Sequence, residues 1–406
     1  MTGGRNSAPD EEAQPSLPYA RQWIDEADIA AVVEVLRSDW LTQGPVLDRF
    51  EHALAGVTGA RHAVAVSSAT AGLHLLALAF DLAPGCGGIT SPITFAASAN
   101  CLLYAGARVA FADVEDETAL MTPASLETAM RRLADEGCAP GVVVAVSFGG
   151  AVPDLPGLYT LCLRHGWRLV EDAAHSLGAV YRSDGGQFRS ASCAHTDAAV
   201  LSFHPVKHIC AGEGGAVLTN DGALAARLRR LRSHGIERPA PDHLPPGEGG
   251  WYYEQLELGF NYRMTEMQAA LGNSQLSKLD AFLLRRRELA RDYAAMLAHP
   301  RLHGVLRAPA FEAGCAYHLY VVRFASAGLR RRAYEWLAAA GIRTQVHYIP
   351  VYRHPHYRLH HPCEPLEGAE RFYQGCLSLP LYPKMHDADQ ERVVTALHAF
   401  AREVEG

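Results

Sequence analysis

The stretch Ala198-Ala-Val-Leu-Ser-Phe-His-Pro-Val-Lys-His-Ile-Cys-Ala-Gly-Glu-Gly-Gly-Ala-Val-Leu-Thr-Asn220 decides how this chain is read. Ala198 to Phe203 has the length and apolar content of a buried strand. Pro205 cannot continue a sheet ladder, so the chain turns there, and Lys207 follows two residues later. The glycines Gly212, Gly214 and Gly215 then lead into Ala216–Thr219, a second strand-like run. A lysine on a loop between two buried strands is placed to lose water, and desolvation lowers its pKa toward nucleophilic amine chemistry. Taken alone, however, the stretch fits a surface lysine on a hairpin better. The flanking chain has to change that.

Working back from Ala198, Arg168-Leu-Val-Glu-Asp172 reads as a strand ending in carboxylates, with Glu171 and Asp172 on opposite faces. Before it lie a helix over Leu158–His165, an apolar strand over Gly141–Val146 and a helix from Ser125 to Ala134. Earlier still come strands at Arg108–Asp113 and Ile89–Phe95, with a small-residue helix from Ala96 to Tyr104 between them. His62–Ser67 is a strand, Ser68-Ala69-Thr70 a turn and Ala71–Phe80 a helix. Strands alternating with helices indicate an α/β domain with a largely parallel sheet, whose ligands bind beyond the carboxyl ends of the strands. The turn at Thr70, Phe95, Asp172 and Lys207 all fall at such ends.

Forward from Asn220, a helix carries Leu224, Leu228 and Leu231, and Arg238–Gly250 is a Pro- and Gly-rich loop. Thr265–Leu297 reads as one long helix joining two domains. Strand, helix and strand follow at Leu319–Phe324, Arg330–Ala340 and Thr344–Tyr348, and a last helix runs from Asp387 to Val404. The expected division is a poorly ordered tail over 1–16, a large domain over 17–282 and a smaller α+β domain over 283–406.

The chain has 406 residues, 49% hydrophobic and 20% charged, which suits a globular enzyme with a large core. A net charge of -7 disfavours a nucleic-acid binder. Nine cysteines without a C-x-x-C pair suggest neither a zinc knuckle nor a secreted disulfide framework. With no membrane-length apolar run and no signal pattern, a cytoplasmic protein is expected. Histidines His354, His356, His360 and His361, near His347, are spaced irregularly with arginine among them, so no metal is expected there.

A reactive lysine, a strand-end aspartate, a hydroxyl-rich turn before a helix and a strand-end aromatic together match the needs of pyridoxal 5′-phosphate. Lys207 would bind the aldehyde covalently and later carry a proton between substrate and cofactor. Asp172 would pair with the pyridinium nitrogen, Thr70 and Ser202 would bind the phosphate, and Phe95 would cover one ring face.

These residues sit in segments that resemble the DegT/DnrJ/EryC1/StrS sugar-aminotransferase family of fold-type I pyridoxal-phosphate enzymes. The segments are Leu41-Thr-Gln-Gly44, Glu171-Asp-Ala-Ala-His175, Ser202-Phe-His-Pro-Val-Lys207, Glu213-Gly-Gly215, Asn261-Tyr-Arg263 and Gln345-Val-His-Tyr348. The resemblance runs from Leu17 to the C-terminal helix. It implies that Ala69 and His175 join the cofactor contacts, and that Asn261 reaches the phosphate from the second subunit of a homodimer. Substrate contacts are implied for Tyr19, Asp39, Trp40, Leu41, Thr42, Ala69, Ser202, Asn261, Gln345, Val346, His347 and Tyr348. Arg238 and Arg353 are candidates for the diphosphate.

Ser68-Ala-Thr70, Arg232-Ser-His-Gly-Ile236, Gln345-Val-His-Tyr-Ile-Pro350 and Leu377-Ser-Leu-Pro380 are most similar to one branch. That branch aminates C4 of a UDP-linked 2-acetamido-4-keto-6-deoxy sugar in pseudaminic acid biosynthesis, with L-glutamate as donor. A dTDP- or GDP-linked 4-keto sugar is the alternative within the family, and a non-catalytic regulator the alternative outside it. A dehydratase branch carries histidine in place of the lysine, and Lys207 argues against it. Two departures stand out. Cys86-Gly87-Gly88 replaces an acidic pair and is expected to loosen the entry to its strand, and Ser147 replaces a histidine and is expected to alter the pocket.

Overall fold

The structure, a computed structural model, describes residues 15–405. The tail expected to lack order therefore lies outside the described residues, except for Pro15 and Ser16. Helices α1 (Glu26–Leu36) and α2 (Pro45–Thr58) precede an alternation of strands and helices. It runs β1 (His62–Val66), α3 (Ala69–Ala79), β2 (Cys86–Thr90), α4 (Ala97–Tyr104), β3 (Arg108–Phe111), α5 (Pro123–Asp135), β4 (Ala139–Val146), α6 (Leu155–His165) and β5 (Arg168–Asp172). A hairpin, β6 (Val180–Ser183) and β7 (Gly186–Arg189), then leads to β8 (Ala198–Ser202), β9 (Gly215–Thr219) and α7 (Gly222–Arg232). The sheet order is β1-β9-β8-β5-β4-β2-β3. Only β9 runs against its neighbours, so the sheet is mostly parallel, as the alternation implies.

The sheet is covered on both sides because its strands are apolar at nearly every position. Val142 and Val144 of β4 pack with Leu73, Leu76, Leu102 and Leu228 on one face. Val143 and Ala145, pointing the other way, pack with Leu126, Leu133 and Leu158. In register, the strand ends line up along one edge: Val146 opposite Asp172, Ser202 opposite Gly215, and Gly215 opposite Val66.

The remaining chain forms β10 (Ile236–Glu237), β11 (Glu254–Gln255), α8 (Glu266–Leu276), α9 (Leu279–Leu297), β12 (Leu306–Arg307), β13 (Tyr320–Phe324) and α10 (Ala327–Ala339). Helices α11 (Pro355–His360) and α12 (Glu367–Gly375), strand β14 (Cys376–Leu379) and helix α13 (Asp387–Glu405) complete it. A second apolar cluster surrounds the β12–β13–β14 sheet and takes in Leu289, Tyr293, Leu337, Leu397 and Phe400, with Leu17 from the N-terminal segment. Helix α9 serves both cores: Leu279 and Leu283 face the sheet-side cluster, and Leu289 onward the second.

Three expectations are corrected. The single helix over Thr265–Leu297 is two, interrupted at Ser277–Lys278, where Lys278 Nζ is drawn to Asp25 (2.6 Å) and Asp28 (2.8 Å). Helical periodicity continues through the break, but this ion pair and the Ser277 Oγ–Ser274 carbonyl bond (2.7 Å) fix the turn. The strand placed at Ile89–Phe95 begins earlier and ends at Thr90, and Cys86-Gly87-Gly88 lies inside it. Those glycines admit close neighbours, since a Cβ on Gly87 would stand 2.7 Å from Trp167, and the pairing of β2 with β4 shifts register between Cys86 and Gly88, in line with the expected looser entry. The strand expected at Thr344–Tyr348 is reduced to one bridge, Gln345 to Ser378. Among the described residues no helix is long and apolar enough to cross a membrane.

Candidate active site

A cavity of about 510 Å³ opens at the aligned strand ends, where β1, β5 and β8 hand over to loops and the second core closes from above. Its wall contains Tyr19, Ala69, Thr70, Phe95, Asp172, His175, Ser202, Lys207, His347 and Tyr348. Each of these is a residue that the sequence singles out. Another cavity, of about 380 Å³ and bordered by Phe148, Arg307 and Arg323, has neither lysine nor histidine on its wall.

Lys207 is reached after the tight turn in which its N–H donates to the His204 carbonyl (2.9 Å). Part of its side chain faces the cavity, yet the surrounding protein strips enough water to push the ammonium down from 10.5 to about 8. The Asp172 charge pulls the other way, and burial outweighs it. Asp172 ends β5 and is buried. Its Oδ2 accepts from Ser98 Oγ (2.7 Å) and its Oδ1 from the Ala174 N–H (3.2 Å). Burial raises its carboxyl above the ordinary range, while Ser98, Ala174 and Lys207 oppose that rise. Glu171, one residue earlier, points through the opposite face, as alternation requires. There it accepts from Ser147, Ser190 and the Ala191 N–H. Ser147 is thus spent on Glu171 and is not on the cavity wall, which corrects the expectation that it alters the pocket.

The turn between β1 and α3 supplies the anion-binding geometry. Ser68 caps α3, its Oγ accepting from the Ala71 N–H (3.1 Å), while the Ser67 N–H is taken by the Tyr262 carbonyl (2.8 Å). The Ala69 and Thr70 N–H groups open the helix without an acceptor of its own and sit at its positive end. Gly215 lies directly beneath, and a Cβ there would meet the Ala69 nitrogen at 2.5 Å. The turn rests on the sheet only because that residue has no side chain.

The far wall is histidine-rich. His175 Nδ1 accepts from the Gly149 N–H and its Nε2 meets the Tyr348 hydroxyl, both at 3.4 Å. His347 Nδ1 is 2.8 Å from Ser378 Oγ, and burial first, then Lys207, push that imidazole down to about 3. Burial likewise holds His175 well below the ordinary range, so both rings are neutral at physiological pH. The donor set fits pyridoxal phosphate: an amine with its pKa brought close to neutrality, a buried carboxylate at a neighbouring strand end, and free helix N–H groups beside the hydroxyl of Ser202.

Asp39, Trp40, Leu41, Thr42, Asn261, Gln345 and Val346 are not on this wall. Trp40 and Leu41 are exposed, Asn261 bridges to Ser233, and Gln345 is committed to its bridge with Ser378. Arg238 does not border the cavity either, and Arg353 is held by Glu370 through two guanidinium nitrogens. Sequence reasoning missed Ser98, Glu213 and His318. Glu213 stands inside a quoted motif, but nothing in the small-residue run around Ser98 or the aromatic run around His318 announces a group at the site.

Comparison with known proteins identifies the family and the fold. The sequence model of the DegT/DnrJ/EryC1/StrS aminotransferase family matches residues 22–398. The spore coat polysaccharide biosynthesis protein SpsC of Bacillus subtilis (strain 168) is 36% identical over 395 residues, covering 95% of this chain and 97% of SpsC. The structure of Helicobacter pylori PseC, an aminotransferase involved in the biosynthesis of pseudoaminic acid, superposes with a TM-score of 0.86 at 30% identity, over 96% of this chain and all of that one. Spr1654 of Streptococcus pneumoniae superposes in its PMP form with a TM-score of 0.85 and in its PLP form with 0.84, both at 26% identity and over 96% of this chain. The superposed share of Spr1654 itself is 100% and 99% in those two forms.

Proposed function

The chain belongs to the DegT/DnrJ/EryC1/StrS aminotransferase family, and from that premise we propose the reaction it catalyses. It moves an amino group from L-glutamate to C4 of UDP-2-acetamido-2,6-dideoxy-β-L-arabino-hex-4-ulose, giving UDP-4-amino-4,6-dideoxy-N-acetyl-β-L-altrosamine. The observation that carries the chemistry is Lys207, the one lysine on the cavity wall, depressed to about 8 with Asp172 on the same wall. The likeness to PseC supports the sugar.

Pyridoxal 5′-phosphate, when bound, supplies an aldehyde for the lysine and a ring that takes up the electron pair released at the donor's α-carbon. Lys207 holds that aldehyde through Nζ. Its Nζ, when free, would carry a proton between the donor's α-carbon and the cofactor's C4′ carbon. In the second half-reaction the same Nζ delivers a proton to C4 of the sugar, from the face on which Lys207 stands. Asp172, held by Ser98 and the Ala174 N–H, would pair with the ring nitrogen. Ala69 and Thr70 N–H groups and the Ser202 hydroxyl hold the phosphate. Phe95 and His175, both on the cavity wall, would cover one ring face and stand by the phenolic oxygen, respectively. Tyr19, His347 and Tyr348 would face the sugar, and Asp39, Trp40, Leu41, Thr42, Gln345 and Val346, which lie off this wall, would have to reach it from outside.

The working unit is a homodimer in which Asn261 of one copy completes the phosphate site of the other. Trp251, Tyr253, Leu256 and Leu258, close to Asn261 in the chain, are more than half exposed, and that apolar run is what a second copy would cover. We place the enzyme in the cytoplasm, where thiols stay reduced; its nine cysteines are all unpaired. Two measurements test the reading. Lys207→Ala should abolish turnover and the visible absorbance of lysine-bound cofactor, and a variant that turns over normally would refute the lysine's role. A glutamate-coupled assay over UDP-, dTDP- and GDP-linked 4-keto sugars should prefer the UDP-2-acetamido sugar; a preference for another nucleotide would replace the substrate and leave the lysine chemistry standing.

A further inference from the structure

An unusual amount of structure is devoted to placing His318, a residue that no motif pointed to. Its ring is on the cavity wall, almost fully buried, with its centroid 4.3 Å from that of His175 and the planes tilted by 39°. The backbone that carries it is held from three sides. Tyr317, just before it, is in the left-handed region at φ 47°, which is costly for an aromatic residue. The Gly149 and Gly150 carbonyls accept from the Leu319 and Ala316 N–H groups (3.2 and 3.0 Å), and a Cβ on Gly150 would strike the Tyr317 nitrogen at 2.5 Å. His208 Nε2 donates to the Ala316 carbonyl (3.1 Å).

The third support is Arg286 on α9, which is 1% exposed. Its Nη1 donates to the carbonyls of Tyr317, His318 and Leu381 at 3.2, 3.3 and 3.2 Å. Among the described residues it forms no ion pair with a carboxylate, and its Nε has no partner. A buried charge without a counter-ion is expensive, so its retention calls for a reason beyond packing. The groups that face His318 are Lys207, His175 and His208 from the site, and Arg286 from behind. All are cationic or neutral, and together with burial they hold the imidazole far below its ordinary range.

We propose that His318 is a positioning residue for the transamination centre: its backbone fixed by Arg286, it packs against His175 and holds that ring in one orientation beside Lys207. A neutral wall leaves Lys207 as the group that gains and loses a proton near neutral pH, so the proton it removes is not passed to an imidazole. This inference rests on the lysine chemistry proposed above, and its test separates the two.

In cofactor-free protein, NMR of the histidine rings should show no titration of His175, His208 or His318 between about pH 6 and 8. In Arg286→Met the His208 and His318 titrations should move upward while staying below the ordinary range, because burial is the larger cause. A ring that already titrates in the unaltered protein, or an Arg286→Met protein with unchanged titration, overturns the electrostatic part whether or not the cofactor reading is right. In the holoenzyme, His318→Ala should lower kcat by about 10- to 100-fold with the sugar KM little changed, and shift the pH response of the visible cofactor band. His318→Phe, which keeps a ring against His175, should restore most of that loss. Normal kcat in His318→Ala, or no rescue by phenylalanine, overturns the positioning role, while a protein that gives no visible band before any substitution refutes the lysine chemistry instead.

Discussion

The lowered pKa of Lys207 makes a prediction that can be worked through with a single substitution, Asp172→Asn. An ordinary lysine titrates at 10.5, and burial brings Lys207 to about 8 against the opposing pull of Asp172. At pH 7 about one Lys207 in ten is then the neutral nucleophile, against about one in three thousand for an ordinary lysine. The sign follows from the causes. The amine gains nucleophilicity as pH rises through its folded pKa, so capture of added pyridoxal phosphate by cofactor-free protein should climb from about pH 6, reach half its maximum near about pH 8 and level off above about pH 9. The carboxamide in Asp172→Asn keeps the shape and can still accept from Ser98, but it removes the negative charge that favours the ammonium. The capture midpoint of this variant should therefore move down, by about 1 pH unit. Turnover should fall by about a hundredfold or more, because the ring nitrogen loses its anionic partner. Stopped-flow absorbance of the visible band from about pH 6 to 10 measures the first effect and steady-state assay the second. A midpoint near that of an ordinary lysine in the unaltered protein, or an upward move in Asp172→Asn, would refute the argument that burial dominates Lys207.

Three further outcomes follow from particular contacts. Ser98→Ala removes the 2.7 Å bond that orients Asp172, a charge-assisted bond worth about 1.5–3 kcal/mol. Pyridoxal phosphate Kd, measured by equilibrium dialysis, should rise by about 10- to 100-fold, and an unchanged Kd would show that Asp172 needs no such support. Gly215→Ala places a methyl 2.5 Å from the Ala69 nitrogen and must displace the phosphate turn, so cofactor affinity should fall while the helical circular dichroism signal stays unchanged. Glu266 is fully buried and accepts from the N–H groups of Gly44, Val46 and Leu47, with oxygens at 3.0, 2.7 and 3.2 Å. Glu266→Ala leaves those donors and the start of α2 unsatisfied and should cost about 2–4 kcal/mol in denaturant unfolding, with little change in the pH response of cofactor capture.

What the chain shows before folding is local. Strands β1, β4, β5 and β8 announce themselves by apolar runs, and the residues at their exits are set by sequence position and the two-residue period of a strand. That period alone separates Asp172 from Glu171, and the turn at Ser68–Thr70 is readable from its hydroxyls between strand and helix. Lys207, Asp172, Thr70, Ser202 and Phe95 could therefore be named together, because in a parallel sheet all strand exits share an edge. Periodicity is a poorer guide where tertiary contacts compete with it: it runs straight through Ser277–Lys278, where the pull of Asp25 and Asp28 on Lys278 marks the break.

Only the tertiary structure decides what surrounds the reacting groups. Ser98 lies 74 residues from the carboxylate it orients, in a helix of small side chains where one serine more or less leaves no mark on the pattern. Arg286, within α9, and His318, just before β13, meet each other, and His318 meets His175, only when the second core closes over the sheet. The pKa of Lys207 belongs to the same category. Its sequence neighbours make it a lysine on a turn, and the removal of water by residues distant in the chain makes it a nucleophile, because desolvation depends on what is packed around a charge and not on what precedes it.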